Sequence, residues 1–175
     1  MTYGAYGDGT GRNAELCGVG EMWGYSMGAR QAYEKYGTDP KVPFLNQVWI
    51  CPEIFWNLMK SDILTKKQIF DCLTSDVKTY NSLVERMYAN YPEKADFIEK
   101  AFNDSNIYPD VTKPQVCNLE NQTVSSSMTV TGQNIILQNI SVKNSATLTL
   151  KSENSIIINE PFFVERDSNF ILTRQ

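Results

Sequence analysis

No histidine occurs anywhere in the 175 residues. That absence removes imidazole general bases, Ser–His and Cys–His nucleophile pairs, and the commonest zinc ligand. Concentrated positive charge is missing too: Lys66-Lys67 is the longest basic run, and the net charge is −4. Nucleic-acid binding needs a basic footprint, so no nucleic-acid partner is expected. No stretch of ~18 apolar residues exists, so no transmembrane segment is expected either. The opening MTYGAYGDGTGRN has no basic n-region and no apolar h-region, so it does not read as a signal peptide. The expectation is a cytoplasmic protein or the later part of a longer one.

Cysteine is sparse and badly spaced for metal. Cys17, Cys51, Cys72 and Cys117 contain no C-x-x-C pair, which argues against a structural zinc site. Three of them sit in apolar helical contexts, where free cysteine behaves as a small buried hydrophobe; a disulfide is the alternative. A catalytic thiolate is not expected, because no imidazole is available to activate it.

What is present changes character along the chain. Hydrophobic residues make up 42% of the sequence, enough for a real core. All three tryptophans and all nine tyrosines precede residue 118, whereas 26 of the 58 residues from Asn118 onward are Asn, Gln, Ser or Thr. Between the two regimes lies NDSNIYPDVTKP, Asn103 to Pro114, dense in turn formers. The composition predicts an α+β chain: a helical domain over 1–105, a linker over 106–117 and a repetitive β domain over 118–175.

About five helices are expected in the first part. Asn13 can cap a helix that runs to about Tyr36, with Gly37 in the left-handed position after it and Pro40 beyond. Pro43 suits the start of a second helix and Pro52 kinks or restarts it, leaving Val48, Trp49, Ile54, Phe55, Leu58 and Met59 for a core. In LTKKQI, Thr65 and Gln68 form a capping box, with Leu64 and Ile69 as its hydrophobic staple. A fourth helix follows Ser75-Asp76, with Tyr80, Leu83, Val84, Met87 and Tyr91 at helical spacing. Pro92 opens a last one carrying Phe97, Ile98 and Phe102. These aromatics are read as core rather than as a stacking platform.

The second part repeats. MTV at 128–130, TLTL at 147–150 and FILT at 170–173 recur about 20 and 22 residues apart; NIIL at 134–137 matches SIII at 155–158, and ISV at 140–142 matches FFV at 162–164. Each unit is expected to hold three short strands separated by Gly, Asn or Ser turns. Stacked units would pair each strand with its equivalent, giving a β-solenoid of roughly two and a half coils. The columns Met128/Leu148/Phe170, Leu137/Ile158 and Val142/Val164 should then face inward. An ordinary β-sandwich is the alternative.

The candidate chemistry sits in LCGVGEMWGYSMGA, Leu16 to Ala29, whose single charge is Glu21. On a helix, Cys17, Glu21, Gly24 and Gly28 share one stripe with Gly20 beside it. Helical glycine costs about 1 kcal/mol against alanine, so the stripe predicts close approach of a backbone or ligand. A carboxylate there needs a hydrogen-bond or cationic partner, or a metal. The plain alternative is a salt bridge or cap within the helical domain.

NAELCGVGEMWGYSMG resembles the glutamate-bearing helix of gluzincin-type zinc metallopeptidases of secreted Bacteroidetes type, and the polar tail resembles the β-coil ends of many such proteins. The resemblance implies that Glu21, followed by Met22, Trp23 and Gly24, is the third zinc ligand. Here the family's H-E-x-x-H helix has no counterpart, so neither imidazole ligands nor a general base is supplied. The implied chain is the C-terminal portion or a degenerate relative of a secreted or cell-surface bacterial metallopeptidase. It would hold no cofactor and no catalytic residue alone, and zinc only with an upstream region; the full-length protein would act on a protein or peptide.

Two other motifs carry less. GDGTGRN at 7–13 matches no nucleotide-binding loop, and as a calcium loop it lacks the closing glutamate because its twelfth position is Val19. It reads as a turn. The sequons at Asn103, Asn121 and Asn139 are expected by chance in so polar a chain. The competing function is a non-enzymatic module whose solenoid contacts glycan or protein, or a homo-oligomer joined through an uncapped solenoid end. Phe170 and Leu172 would there be covered by a second copy or by the helical domain.

Overall fold

The computed structural model describes residues 14–37 and 50–174, with side chains from residue 18 onward in the first stretch. The expected cap Asn13, the turn at 7–13, Pro40, Pro43, Val48, Trp49 and the side chain of Cys17 lie outside the described residues. The chain divides into two compact units, Met1–Thr112 and Lys113–Gln175, and the class is α+β.

In the first unit, helix α1 spans Ala14–Tyr36. It buries Val19, Met22, Ser26 and Ala29 at helical spacing. Gly37, at φ 67°, ends the helix as expected, and its N–H donates to the Tyr33 carbonyl at 2.8 Å. Helix α2 (Pro52–Lys60) starts with Pro52 in its first turn, where the missing N–H costs nothing, and it buries Ile54, Phe55, Leu58 and Met59. The buried Ser26 hydroxyl joins these helices: it lies 2.6 Å from the Met22 carbonyl and 2.7 Å from that of Pro52.

Helix α3 (Lys66–Asp71) opens with the expected capping box, the Thr65 hydroxyl on the Gln68 N–H and the Gln68 side chain on the Thr65 N–H. Leu64 and Ile69 are both buried beside it. The fourth helix departs from expectation. It begins at Tyr80, not directly after Asp76, because Thr79 and Ser82 form a second capping box, while the Thr74 hydroxyl donates to the Asp76 carboxylate in the preceding turn. This helix, α4, ends at Asn90; Pro92–Lys94 adds a 3₁₀ turn, and α5 follows over Ala95–Asp104. Met22, Phe55, Leu58, Leu83, Ile98 and Phe102 are fully buried in one core. Phe97, expected among them, is exposed, as are Phe70 and Tyr25.

The second unit is one four-stranded sheet in the order β1 (Val116–Val124), β2 (Met128–Val142), β3 (Thr147–Val164) and β4 (Asn169–Arg174). All three pairings are parallel. An antiparallel sandwich is therefore overturned, and so is the expectation of three short strands per repeat. β2 and β3 are long strands whose pairing slips between Gly132 and Asn134 and again between Gln138 and Ile140.

The repeat register holds residue by residue. Met128 pairs Leu148 and Leu148 pairs Phe170; Leu137 pairs Ile158; Val142 pairs Val164. A further repeat begins at Val116, inside the expected linker, where Leu119 pairs Leu137 and Val124 pairs Val142. Inward residues build the core, with Ile135, Leu137, Leu148 and Leu150 fully buried, each stabilising by roughly 1.5–3 kcal/mol. Asn121 and Asn139 hold left-handed backbone at φ 54° and 53°, and the Asn139 Nδ2 donates to the Asn121 Oδ1 at 2.8 Å. Asparagine tolerates that conformation better than other side-chain-bearing residues.

Candidate functional site: the open edge of the sheet

Glu21 lies on the outer side of α1. It is exposed, together with Gly20, Gly24, Tyr25 and Gly28, opposite the line Val19, Met22, Ser26 and Ala29. A Cβ added at Gly20, Gly24 or Gly28 would meet no described atom within 4 Å. The close approach expected for that stripe is thus not found among the described residues. Arg30, on the same helix, bonds Glu34 instead, Nε to Oε1 at 2.8 Å. A zinc site needs four donors converging in a tetrahedron. Among the described residues no three His, Cys, Asp or Glu side chains gather in that way. The donors around Glu21, among the described residues, do not make up a zinc site.

Two of the described thiols are held in their neutral form. Cys51, Cys72 and Cys117 are free, and burial pushes the Cys51 and Cys72 thiols above their ordinary value. Cys72 Sγ lies 3.3 Å from the Gln68 carbonyl and receives Asn90 Nδ2 at 3.5 Å, as expected of a packed residue.

The sheet unit carries a different kind of feature. Two of its inward columns grow more exposed toward the later strands, whereas Met128, which starts a third, is 38% exposed. Leu119 and Val124 on β1 are 5% and 4% exposed, but Ile158 on β3 reaches 39% and Leu172 on β4 reaches 52%. Leu172 continues the column of Val130 and Leu150, so its position in the repeat is a core position left without cover. Ile171 and Phe163 are also exposed, and a shallow recess lined by Ser152, Ser155, Ile156, Leu172 and Arg174 lies at this end. Phe170 keeps part of its burial against Phe162, with ring centroids 4.7 Å apart.

Backbone groups are open there as well. β4 pairs only with Thr147–Ser152 of β3. Asn169 donates its N–H to the Ala146 carbonyl at 2.9 Å. Strand alternation therefore turns Ile171 and Thr173 toward β3 and leaves the N–H and C=O groups of Phe170, Leu172 and Arg174 facing outward. Open strand edges of this kind are templates for further pairing. The rest of the β3 edge carries Glu153, Glu160 and Pro161, residues that discourage such pairing.

Below the open rows, a polar network fixes the register. The Ser155 hydroxyl donates to Asn134 Oδ1 at 2.8 Å, Asn134 Nδ2 donates to the Gln115 carbonyl at 3.1 Å, and the Ser152 hydroxyl lies 2.7 Å from the Gln133 carbonyl. Asn134 and Ser152 are buried, so these bonds hold one pairing offset against its neighbours. Comparison with protein-family models, with curated proteins and with solved structures finds no match to this chain.

Proposed function

We propose that the C-terminal unit winds as a β-solenoid and that the chain is a non-enzymatic interaction module whose solenoid end contacts another protein. What supports the winding is connector length. Parallel neighbours ordinarily need a crossover of a dozen or more residues. Here residues 125–127, 143–146 and 165–168 suffice. A straight β2 would extend ~50 Å, while four residues reach back at most ~14 Å. The strand must therefore turn along its length, and the left-handed Asn121 and Asn139 and the slips at Gly132–Asn134 and Gln138–Ile140 provide corners. The stacked connectors repeat each other, with Ala146 N–H on the Lys143 carbonyl and Ser168 N–H on that of Glu165.

The observation that carries the functional reading is Leu172, 52% exposed at a position whose equivalents Val130 and Leu150 are buried. Quasi-one-dimensional repeats need a capping element at each end, and apolar core positions left in water mark interaction surfaces. The test is concentration-dependent sedimentation of the chain beside Leu172→Lys. Association that Leu172→Lys abolishes, with an unchanged circular dichroism spectrum, is expected. A concentration-independent monomer would overturn self-contact as the module's use, and association insensitive to Leu172→Lys would move the contact elsewhere.

A further inference from the structure

We draw no further inference here: the strongest candidate, the apolar patch on the helical unit where the exposed Phe70 ring of α3 lies 5.5 Å from that of the half-buried Trp23 on α1, is an unpartnered face, and nothing in the structure shows what covers it.

Discussion

In the helical unit Met22, Phe55, Leu83 and Phe102, drawn from four helices, are fully buried. In the sheet unit a single column runs from Leu119 at 5% exposure through Leu137 at 0% to Ile158 at 39%. The first unit wraps helices of several directions around one centre, so each core position meets neighbours from several elements. The second adds strands in one direction, so Leu137 lies between Leu119 and Ile158, while no β4 residue pairs beyond Ile158. A wrapped core can finish itself with local devices, and the two capping boxes at Thr65 and Thr79 are such devices. A core of stacked repeats, as proposed for the second unit, needs a capping element at its end instead.

The largest effect should appear where this comparison is tested directly. Phe102→Ala is expected to destabilise the helical unit by about 3–5 kcal/mol, since that side chain is wholly buried. Leu137→Ala should cost the sheet unit about 2–5 kcal/mol, whereas Leu172→Ala, in an open row of the same sheet, should cost under about 1 kcal/mol. Tryptophan fluorescence follows the helical unit alone, because no tryptophan lies beyond residue 118; hydrogen exchange of β2 amides follows the sheet. Equal losses at Leu137 and Leu172 in dilute solution would mean that the open row is closed after all.

Next in size is the corner at Asn139. Replacing it by alanine forces a β-carbon-bearing residue with no compensating side chain into φ 53° and removes the bond to Asn121. The expected loss is about 1–2 kcal/mol. Asn139→Gly relieves the backbone and removes only the bond, so it should lose less. An alanine variant as stable as the glycine variant would show that the left-handed corner exerts no strain.

Much of this was readable in the residues, and the failures have physical causes. Periodic pairs such as Met128/Leu148 and Val142/Val164 announced the sheet register, because side-chain alternation in stacked repeats is strict. The first row was missed although Asn121 and Asn139 occupy equivalent corners; its inward residues include Cys117 and its neighbours are polar, which blurred the apolar signal. Thr65-Gln68 was an explicit start signal, but Thr79-Ser82 was not, since serine in place of Glu or Gln makes the box unobvious. For the candidate site, Phe170 and Leu172 were legible as uncovered positions of a last repeat. Around Glu21 a stripe of glycines can mean a close neighbour or an open face, and sequence alone does not distinguish them; among the described residues the face is open.

That ambiguity gives the next prediction. With open space beside Gly24 and Gly28 among the described residues, alanine at either should stabilise α1 by about 0.5–1 kcal/mol, through helix propensity and a less flexible unfolded chain. Thermal unfolding followed by tryptophan fluorescence measures it. A destabilised Gly24→Ala would reveal something seated on the stripe and would restore the close approach that the sequence suggested around Glu21.

The smallest effect separates the two units by pH. The ion pairs Arg30–Glu34, Lys66–Glu34, Arg86–Asp76 and Lys100–Asp104 all lie in the helical unit, whereas the sheet is tied by Asn134, Ser152 and Ser155, which do not titrate. Glu34 links α1 to α3 through Lys66 at 2.8 Å. Lys66 and then Arg30, bonded to its carboxylate, hold its pKa below the ordinary 4.5. Asp76 is likewise held below 3.8, first by the Thr74 hydroxyl and its own backbone N–H, then by Arg86. A carboxylate whose folded pKa is depressed contributes stability that is full above its unfolded pKa and is lost as pH falls through the folded one. The window therefore opens just below pH 4.5 for Glu34 and extends downward. Both groups are fully exposed, so the contribution is screened by salt and stays modest. Acid should lower the tryptophan-reported transition while the β2 exchange protection holds, and Glu34→Gln should flatten the first response without touching the second. A carboxyl titration of Glu34 by NMR with a midpoint at or above 4.5 would remove the cause, and an acid response confined to the sheet would reverse the comparison.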